Sequence, residues 1–293
     1  MSSILKLIGN TPLIKIEKIF KKEGVKIYGK LEGQNPGGSV KDRAAYGMIK
    51  GAVERGELKP GMRLIEATSG NTGIALAMIA NLYGIDITLV MPESATAERV
   101  GTMRAYGAKV VLTPADKTIE YSREYAEEAA KKENYHMLNQ FANIDNWGMH
   151  YRSTGPEVWR DTKGQVTHFV SSMGTTGTIM GTSRFLKEQN EKVQIVGVQP
   201  TDGSSIPGIR RWSKEFLPKI YEPDRVDQII DVSQEEAQEM MRRLATEEAI
   251  FAGMSSGGAC AAAIRLAQQI DEGLIVFIVC DRGDRYLSSG IYE

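Results

Sequence analysis

The feature that most limits what this chain can fold into is a near-continuous alternation of short apolar runs with amphipathic stretches. Residues 25–31, 63–67, 86–91 and 109–112 read as strands, and 43–53, 74–83, 98–106 and 118–132 carry helical periodicity. Gly56, Gly84 and Gly107 close three of those helices. The pattern resumes with strands at 168–172, 193–198, 228–232 and 274–280, and helices at 177–189, 234–247 and 257–269. Ser233 and Glu236 form a capping box at the second of these helices. Parallel neighbours in a sheet need a crossover, so strand, short loop and helix in repetition predict parallel βαβ units. The chain is therefore expected to be α/β, in two layers that divide near 143–152, with one more short strand at 136–138. Residues 203–227 do not fit: Pro207, Pro218 and Pro223 break them up, and Arg210-Arg211-Trp212 sit among them. A loop this long in a compact domain is usually functional.

Charge and composition narrow the partners. The 36 basic and 37 acidic residues leave −1, which gives no electrostatic footprint for nucleic acid or an anionic membrane surface. The longest apolar runs, such as 274–280, are too short to span a bilayer. The first twelve residues carry no basic segment followed by an apolar one, which points to the cytoplasm. Two cysteines, Cys260 and Cys280, argue against a disulfide framework, and His136, His150 and His168 are too scattered for a zinc site. No metal is expected, and the histidines receive no role.

The chemistry concentrates in small polar loops between strand and helix. In Gly37-Gly38-Ser39-Val40-Lys41-Asp42-Arg43, a lysine stands at a helix start, where acidic side chains are favoured. It is either a solvated first-turn residue or an amine held near a positive helix end, where nucleophilic amine chemistry is favoured. Gly174-Thr175-Thr176-Gly177-Thr178 offers exposed amides and hydroxyls ahead of a helix, which is either a phosphate cradle or a tight turn. It matches neither a P-loop nor a dinucleotide fingerprint. Thr68-Ser69-Gly70-Asn71-Thr72-Gly73 has the same placement and more polar groups than an N-cap needs, so it is expected to receive a carboxylate. Gly253-Met254-Ser255-Ser256-Gly257-Gly258 reads, taken alone, as a serine N-cap.

Taken together and in this order, these motifs resemble the fold-type II pyridoxal-phosphate enzymes, and among them the O-acetylserine sulfhydrylases, or cysteine synthases. The resemblance runs from Ile8-Gly9-Asn10-Thr11-Pro12-Leu13 to Asp284-Arg285-Tyr286-Leu287-Ser288-Ser289-Gly290. The loops 203–212 and 280–286 are similar to the type B pattern, whose members also accept thiosulfate. The resemblance implies a tryptophan synthase β-like fold, with a smaller domain at 35–145 and a larger one from 1–34 and 146–293. It implies pyridoxal 5′-phosphate as cofactor, with Lys41 as Schiff-base lysine and as the base at Cα. Gly174 to Thr178 would hold the phosphate, Asn71 the ring hydroxyl, and Ser255 would face the pyridine nitrogen. Thr68, Ser69, Asn71, Thr72 and Gln140 would bind the substrate carboxylate.

The activity so implied converts O-acetyl-L-serine and sulfide or thiosulfate into L-cysteine or S-sulfocysteine and acetate, through an α-aminoacrylate. For a polyatomic donor Arg210, more than Arg211, is the expected guanidinium, because adjacent residues of an extended loop point apart. Cys280, at the carboxyl end of a strand, is either a substrate contact or a buried small hydrophobe. A homodimer that does not bind serine acetyltransferase is expected. The same motifs leave open another β-replacing or eliminating enzyme, such as a cystathionine β-synthase-like protein or a serine/threonine dehydratase. They also leave open a binding protein without turnover, although such a protein would need no Schiff-base lysine.

Overall fold

The computed structural model describes residues 3–68, 70–117 and 119–293. After a 3-10 turn at Ile4–Leu7 come β1 (Leu13–Lys15), β2 (Val25–Leu31), a second 3-10 turn (Glu32–Gln34) and α1 (Lys41–Glu54). Then follow β3 (Arg63–Ala67), α2 (Asn71–Leu82), β4 (Asp86–Pro92), α3 (Ala97–Ala105), β5 (Lys109–Thr113) and α4 (Ile119–Glu133). Two consecutive helices, α5 (Ile144–Arg152) and α6 (Thr154–Asp161), lead into β6 (His168–Ser172), α7 (Gly177–Gln189) and β7 (Gln194–Pro200). The chain closes with β8 (Gln228–Val232), α8 (Gln234–Glu248), α9 (Met254–Gln269), β9 (Gly273–Val279) and a 3-10 stretch at Gly283–Ser289.

The strands form two sheets. One has the order β1-β2-β9-β6-β7-β8, parallel except for the antiparallel edge pair β1–β2; the other is parallel, in the order β3-β4-β5. Each is covered on both faces, which accounts for the near-continuous apolar strands. In β9, Ile275, Phe277 and Val279 pack toward α8 and α9, while Leu274, Val276 and Ile278 face the opposite core with Val158, Ile179 and Leu186. Each such burial is worth about 1.5–3 kcal/mol. In the smaller sheet, Ile87, Leu89 and Met91 pack against the apolar face of α1 and α2, and Val90 turns to Ala126 of α4.

Most elements lie where the sequence placed them, and the capping box of Ser233 and Glu236 is formed. Two expectations change. The 136–138 strand is only a single bridge, His136 to Leu64. The expected N-cap serine is displaced: Gly253 caps α9 and Ser255 lies inside its first turn. The helix expected from 118 begins, among the described residues, at Ile119, and Thr118 lies outside them. Residues 144–152 form α5, which packs against both α1 and α7. Its approach to α1 requires Gly47, where a Cβ would fall 2.6 Å from the Asp145 carbonyl oxygen. The helices α5 and α6 escaped the periodicity reading because their buried faces carry mostly polar groups, Asn146, His150, Thr154 and Glu157, with Val158 as the apolar exception.

Candidate active site

Ligands of open α/β sheets bind beyond the carboxyl ends of the strands. Here the ends of β2, β9, β6, β7 and β3 lead to Lys41, Cys280, Gly174, Thr201 and Thr68. A cleft of about 820 Å³ opens there. Its lining includes Lys41, Thr68, Asn71, Thr72 and Gln140 on one side, and Gly174, Thr175, Arg210 and Arg211 on the other. Ser69 lies outside the described residues.

Lys41 opens α1. Its amide donates to Ser39 Oγ at 3.2 Å, and the preceding Val40 amide donates to the Cys280 carbonyl at 2.8 Å, so the lysine's turn is tied to the end of β9. Burial pushes the Cys280 thiol up to about 11 against the opposing charge of Lys41. A thiol so placed stays protonated at neutral pH. Two residues beyond Lys41, the wholly buried Arg43 chelates Glu32 and Glu157, and Lys30, also wholly buried, holds Glu157 at 2.8 Å. Burial alone would raise both carboxyls. The Arg43 charge and hydrogen bonds reverse this, holding Glu32 below its usual range and Glu157 at about 2. This network fixes the first turn of α1 to β2 and α6.

The start of α2 is arranged by side chains far away in sequence. Asn71 Nδ2 donates to Asp281 Oδ2 at 2.7 Å, and its Oδ1 accepts from Arg285, which also donates to the Gly37 carbonyl. Tyr286 adds its hydroxyl to Asp281 at 2.6 Å. One arginine thus clamps the turn before Lys41 to the residue that opens α2. Thr72 Oγ1 donates to Gln140 Oε1 at 2.9 Å, leaving the Gln140 amide N–H groups for a ligand.

Across the cleft, the turn before α7 places Thr176 at the N-cap with φ of 70°, and its buried Oγ1 has no partner among the described residues. A Cβ at Gly174 would fall 2.6 Å from the Gly208 carbonyl oxygen. The turn therefore combines helix-start amides, a buried hydroxyl without a partner among the described residues and a closely approached backbone, which fits a phosphate dianion. With Lys41 lining the same cleft, the residues present suit a phosphorylated aldehyde cofactor.

Thr176, Gly177, Thr178, Ser255 and Cys280 are not among the residues lining the cleft. Ser255 lies one layer behind Gly208, where a Cβ would meet its Oγ at 3.4 Å. Thr178 Oγ1 lies 3.4 Å from His150 Nε2, whose other ring nitrogen bonds Thr154 Oγ1 at 2.8 Å. Burial, with the Arg43 and Lys41 charges, pushes His150 down to about 3, so it is neutral. Asn146 donates to both the Gln140 carbonyl, at 2.8 Å, and Thr175 Oγ1, at 3.1 Å, joining the two sides. Sequence reasoning assigned no role to Asn146, His150 or Arg285, because each acts through a partner distant in the chain.

The long loop forms the outer wall. The Trp212 indole donates to the Gly174 carbonyl at 2.8 Å, and its ring meets Phe141 edge-on at 5.5 Å. Arg210 reaches Glu120 at 3.4 Å and stacks over Trp212. Arg211 is drawn to Asp202, Asp231 and the Pro200 carbonyl. Among the described residues, no group of three or more His, Cys, Asp or Glu could hold a metal ion, and no helix is long and apolar enough to cross a membrane.

Comparison with known proteins adds the chemical context. Residues 4–281 match the family described as pyridoxal-phosphate dependent enzyme. The chain is 55% identical to cysteine synthase B of Pseudomonas aeruginosa, over 99% of this chain and 97% of that one. It is 54% identical to cysteine synthase B of Escherichia coli, over 100% and 96%. The crystal structure of a cysteine synthase from Entamoeba histolytica superposes with a TM-score of 0.94 at 36% identity, covering 100% of this chain and 90% of that one.

Proposed function

The chain belongs to the pyridoxal-phosphate dependent enzyme family, and from that premise we propose that it replaces the acetoxy group of O-acetyl-L-serine with sulfide, giving L-cysteine and acetate. Thiosulfate is proposed as a second donor, giving S-sulfocysteine. The observation that carries this reading is one cleft joining Lys41, the polar start of α2 and the Gly174–Thr175 turn.

Pyridoxal phosphate, when bound, supplies an electron-withdrawing ring that stabilises negative charge at Cα. The turn from Gly174 to Thr178 would hold its phosphate and Lys41 its aldehyde carbon, with Asn71 at the ring hydroxyl and Ser255 at the pyridine nitrogen. A neutral serine hydroxyl leaves the nitrogen less positive than a carboxylate partner would, which favours loss of a group from Cβ. Thr68, Ser69, Asn71, Thr72 and Gln140 receive the substrate carboxylate at the start of α2, where helix amides favour an anion. Lys41 Nζ takes the proton from Cα as acetate departs from Cβ, and returns it once sulfur has bonded there. Arg210, paired with Glu120 at the cleft mouth, and Arg211, through its own carboxylate partners, shape the loop that walls the cleft. Cys280 lies behind the cleft wall near Lys41 as an uncharged thiol.

Residues 35–145 are assigned to a smaller domain and residues 1–34 with 146–293 to a larger one, the cleft lying where they meet. A cytoplasmic homodimer that does not bind serine acetyltransferase completes the reading. Lys41→Ala tests it. The purified wild type should be yellow and fix the cofactor on Lys41 after borohydride reduction. The variant should still bind pyridoxal phosphate but lose cysteine formation. A wild type that stays colourless after incubation with pyridoxal phosphate would overturn the assignment.

A further inference from the structure

The cleft is more cationic than the reaction with sulfide requires. Besides Lys41 and the two loop arginines, Arg99 of α3 and Arg123 of α4 line it. The loop arginines have carboxylate partners: Glu120 for Arg210, and Asp202 with Asp231 for Arg211. Among the described residues, neither Arg99 nor Arg123 has a carboxylate oxygen within the 4.0 Å of an ion pair. Each instead lies over an aromatic ring, Arg99 at 4.9 Å from the Tyr286 centroid and Arg123 at 5.0 Å from that of Phe141. Arg99 Nε is buried and has no hydrogen-bond partner among the described residues. Stacking fixes the plane of a guanidinium and leaves its N–H edge for an oxyanion. The Arg99 guanidinium also bears on the Tyr286 hydroxyl and that of Arg123 on the buried Glu66 carboxyl, but among the described residues neither forms an ion pair, so both keep positive charge at the cleft.

Building on the reaction proposed above, we propose that Arg99 and Arg123, and not the loop arginines, determine the use of thiosulfate by binding its sulfonyl oxygens. Its terminal sulfur then remains free to attack. Acetate leaves Cβ with its bonding pair while Cα gives up a proton; the terminal sulfur bonds Cβ, and the proton returns to Cα. The product S-sulfocysteine keeps the sulfonate, and no oxidant or reductant is consumed. Sulfide has no oxygens to be gripped, so the pair acts on the choice between donors.

The test compares kcat/KM for thiosulfate and for sulfide in the holoenzyme and in Arg99→Gln, Arg123→Gln and Arg210→Gln. Loss of a charge-assisted hydrogen bond lowers the thiosulfate-to-sulfide ratio by roughly 10–100-fold in each of the first two variants. The ratio moves less than about threefold in Arg210→Gln, whose charge is already shared with Glu120. Calorimetric titration of thiosulfate into each protein gives a reading independent of turnover, and affinity should fall in the same two variants. Arg99→Lys and Arg123→Lys keep the charge and most of the packing; their ratios should fall between wild type and glutamine, and they serve where a glutamine variant does not fold. The proposal is overturned if the ratio is unchanged in the Arg99 and Arg123 variants, if Arg210→Gln gives the larger loss, or if the wild type uses sulfide but not thiosulfate. Absence of sulfide turnover in the wild type would instead defeat the parent reading.

Discussion

Replacing Arg43 with leucine tests how the first turn of α1 is held. Arg43 is wholly buried and bonds two carboxylates, with contacts of 2.7 and 2.8 Å to Glu32 and 2.7 Å to each oxygen of Glu157. The two losses are unequal. Glu157 keeps Lys30 at 2.8 Å, whereas Glu32 keeps only the neutral donors Thr11, at 2.7 Å, and Asn35, at 2.9 Å. The variant therefore carries one uncompensated buried carboxylate, a defect that costs about 3–5 kcal/mol. At about 2–4 °C per kcal/mol for a chain of this order, the midpoint of thermal unfolding should fall by roughly 6–20 °C.

The sign of the pH dependence sharpens the test. In the wild type both carboxyls are held below their unfolded values. Their stabilisation is present above about pH 4 and is lost as pH falls through the folded values, about 2 for Glu157. In Arg43→Leu the sign reverses for Glu32: burial without its partner raises its pKa, so the penalty is full at pH 8 and shrinks as the carboxyl protonates. Urea unfolding at pH 8 and pH 5 should show the deficit narrowing, and adding Glu32→Gln should recover most of it. A deficit below about 1 kcal/mol, or one equal at both pH values, would show that Arg43 does not compensate a buried charge.

Two further outcomes follow from the turn around Lys41. Burial raises the Asp42 carboxyl to about 7, against the Gly37 N–H bond at 2.5 Å and the Arg285 charge, and its buried Oδ1 has no partner among the described residues. Its contribution to stability is thus present below about pH 4 and lost as pH rises through about 7. Asp42→Asn should be more stable than wild type at pH 8, by on the order of 1–3 kcal/mol, and the gain should shrink at pH 5.5 in urea titrations; parallel curves would contradict it. Arg285→Lys cannot span both the Gly37 carbonyl and Asn71 with one ammonium. The KM for O-acetylserine should rise about tenfold with a smaller change in kcat, and unaltered steady-state constants would show that the clamp does not position the substrate loop.

The sequence by itself determined the α/β class, every strand of both sheets except β1 to within a few residues, the helices other than α5 and α6, and the four polar loops. Each of these depends on neighbours along the chain: the period of buried residues, a glycine that ends a helix, a capping box. The small polar loops also carried the resemblance to the cysteine synthases, because their composition is unusual over only five or six residues. Tertiary structure alone decided how those loops meet. Asn71 is oriented by Asp281 and Arg285, more than two hundred residues away, and Asn146 links Gln140 to Thr175. The helices α5 and α6 were hidden because they bury charge and hydrogen-bonding groups where a periodicity reading looks for apolar ones. Which arginines face the cleft without an ion-pair partner among the described residues was likewise beyond local pattern. Arg210 and Arg211 stand out as a doublet, but carboxylates from other elements draw them off, while Arg99 and Arg123 come from separate helices and converge only once the chain has folded. Local order sets what each segment becomes; the balance of charge in a cleft depends on groups that only long-range packing brings within a few ångströms of each other.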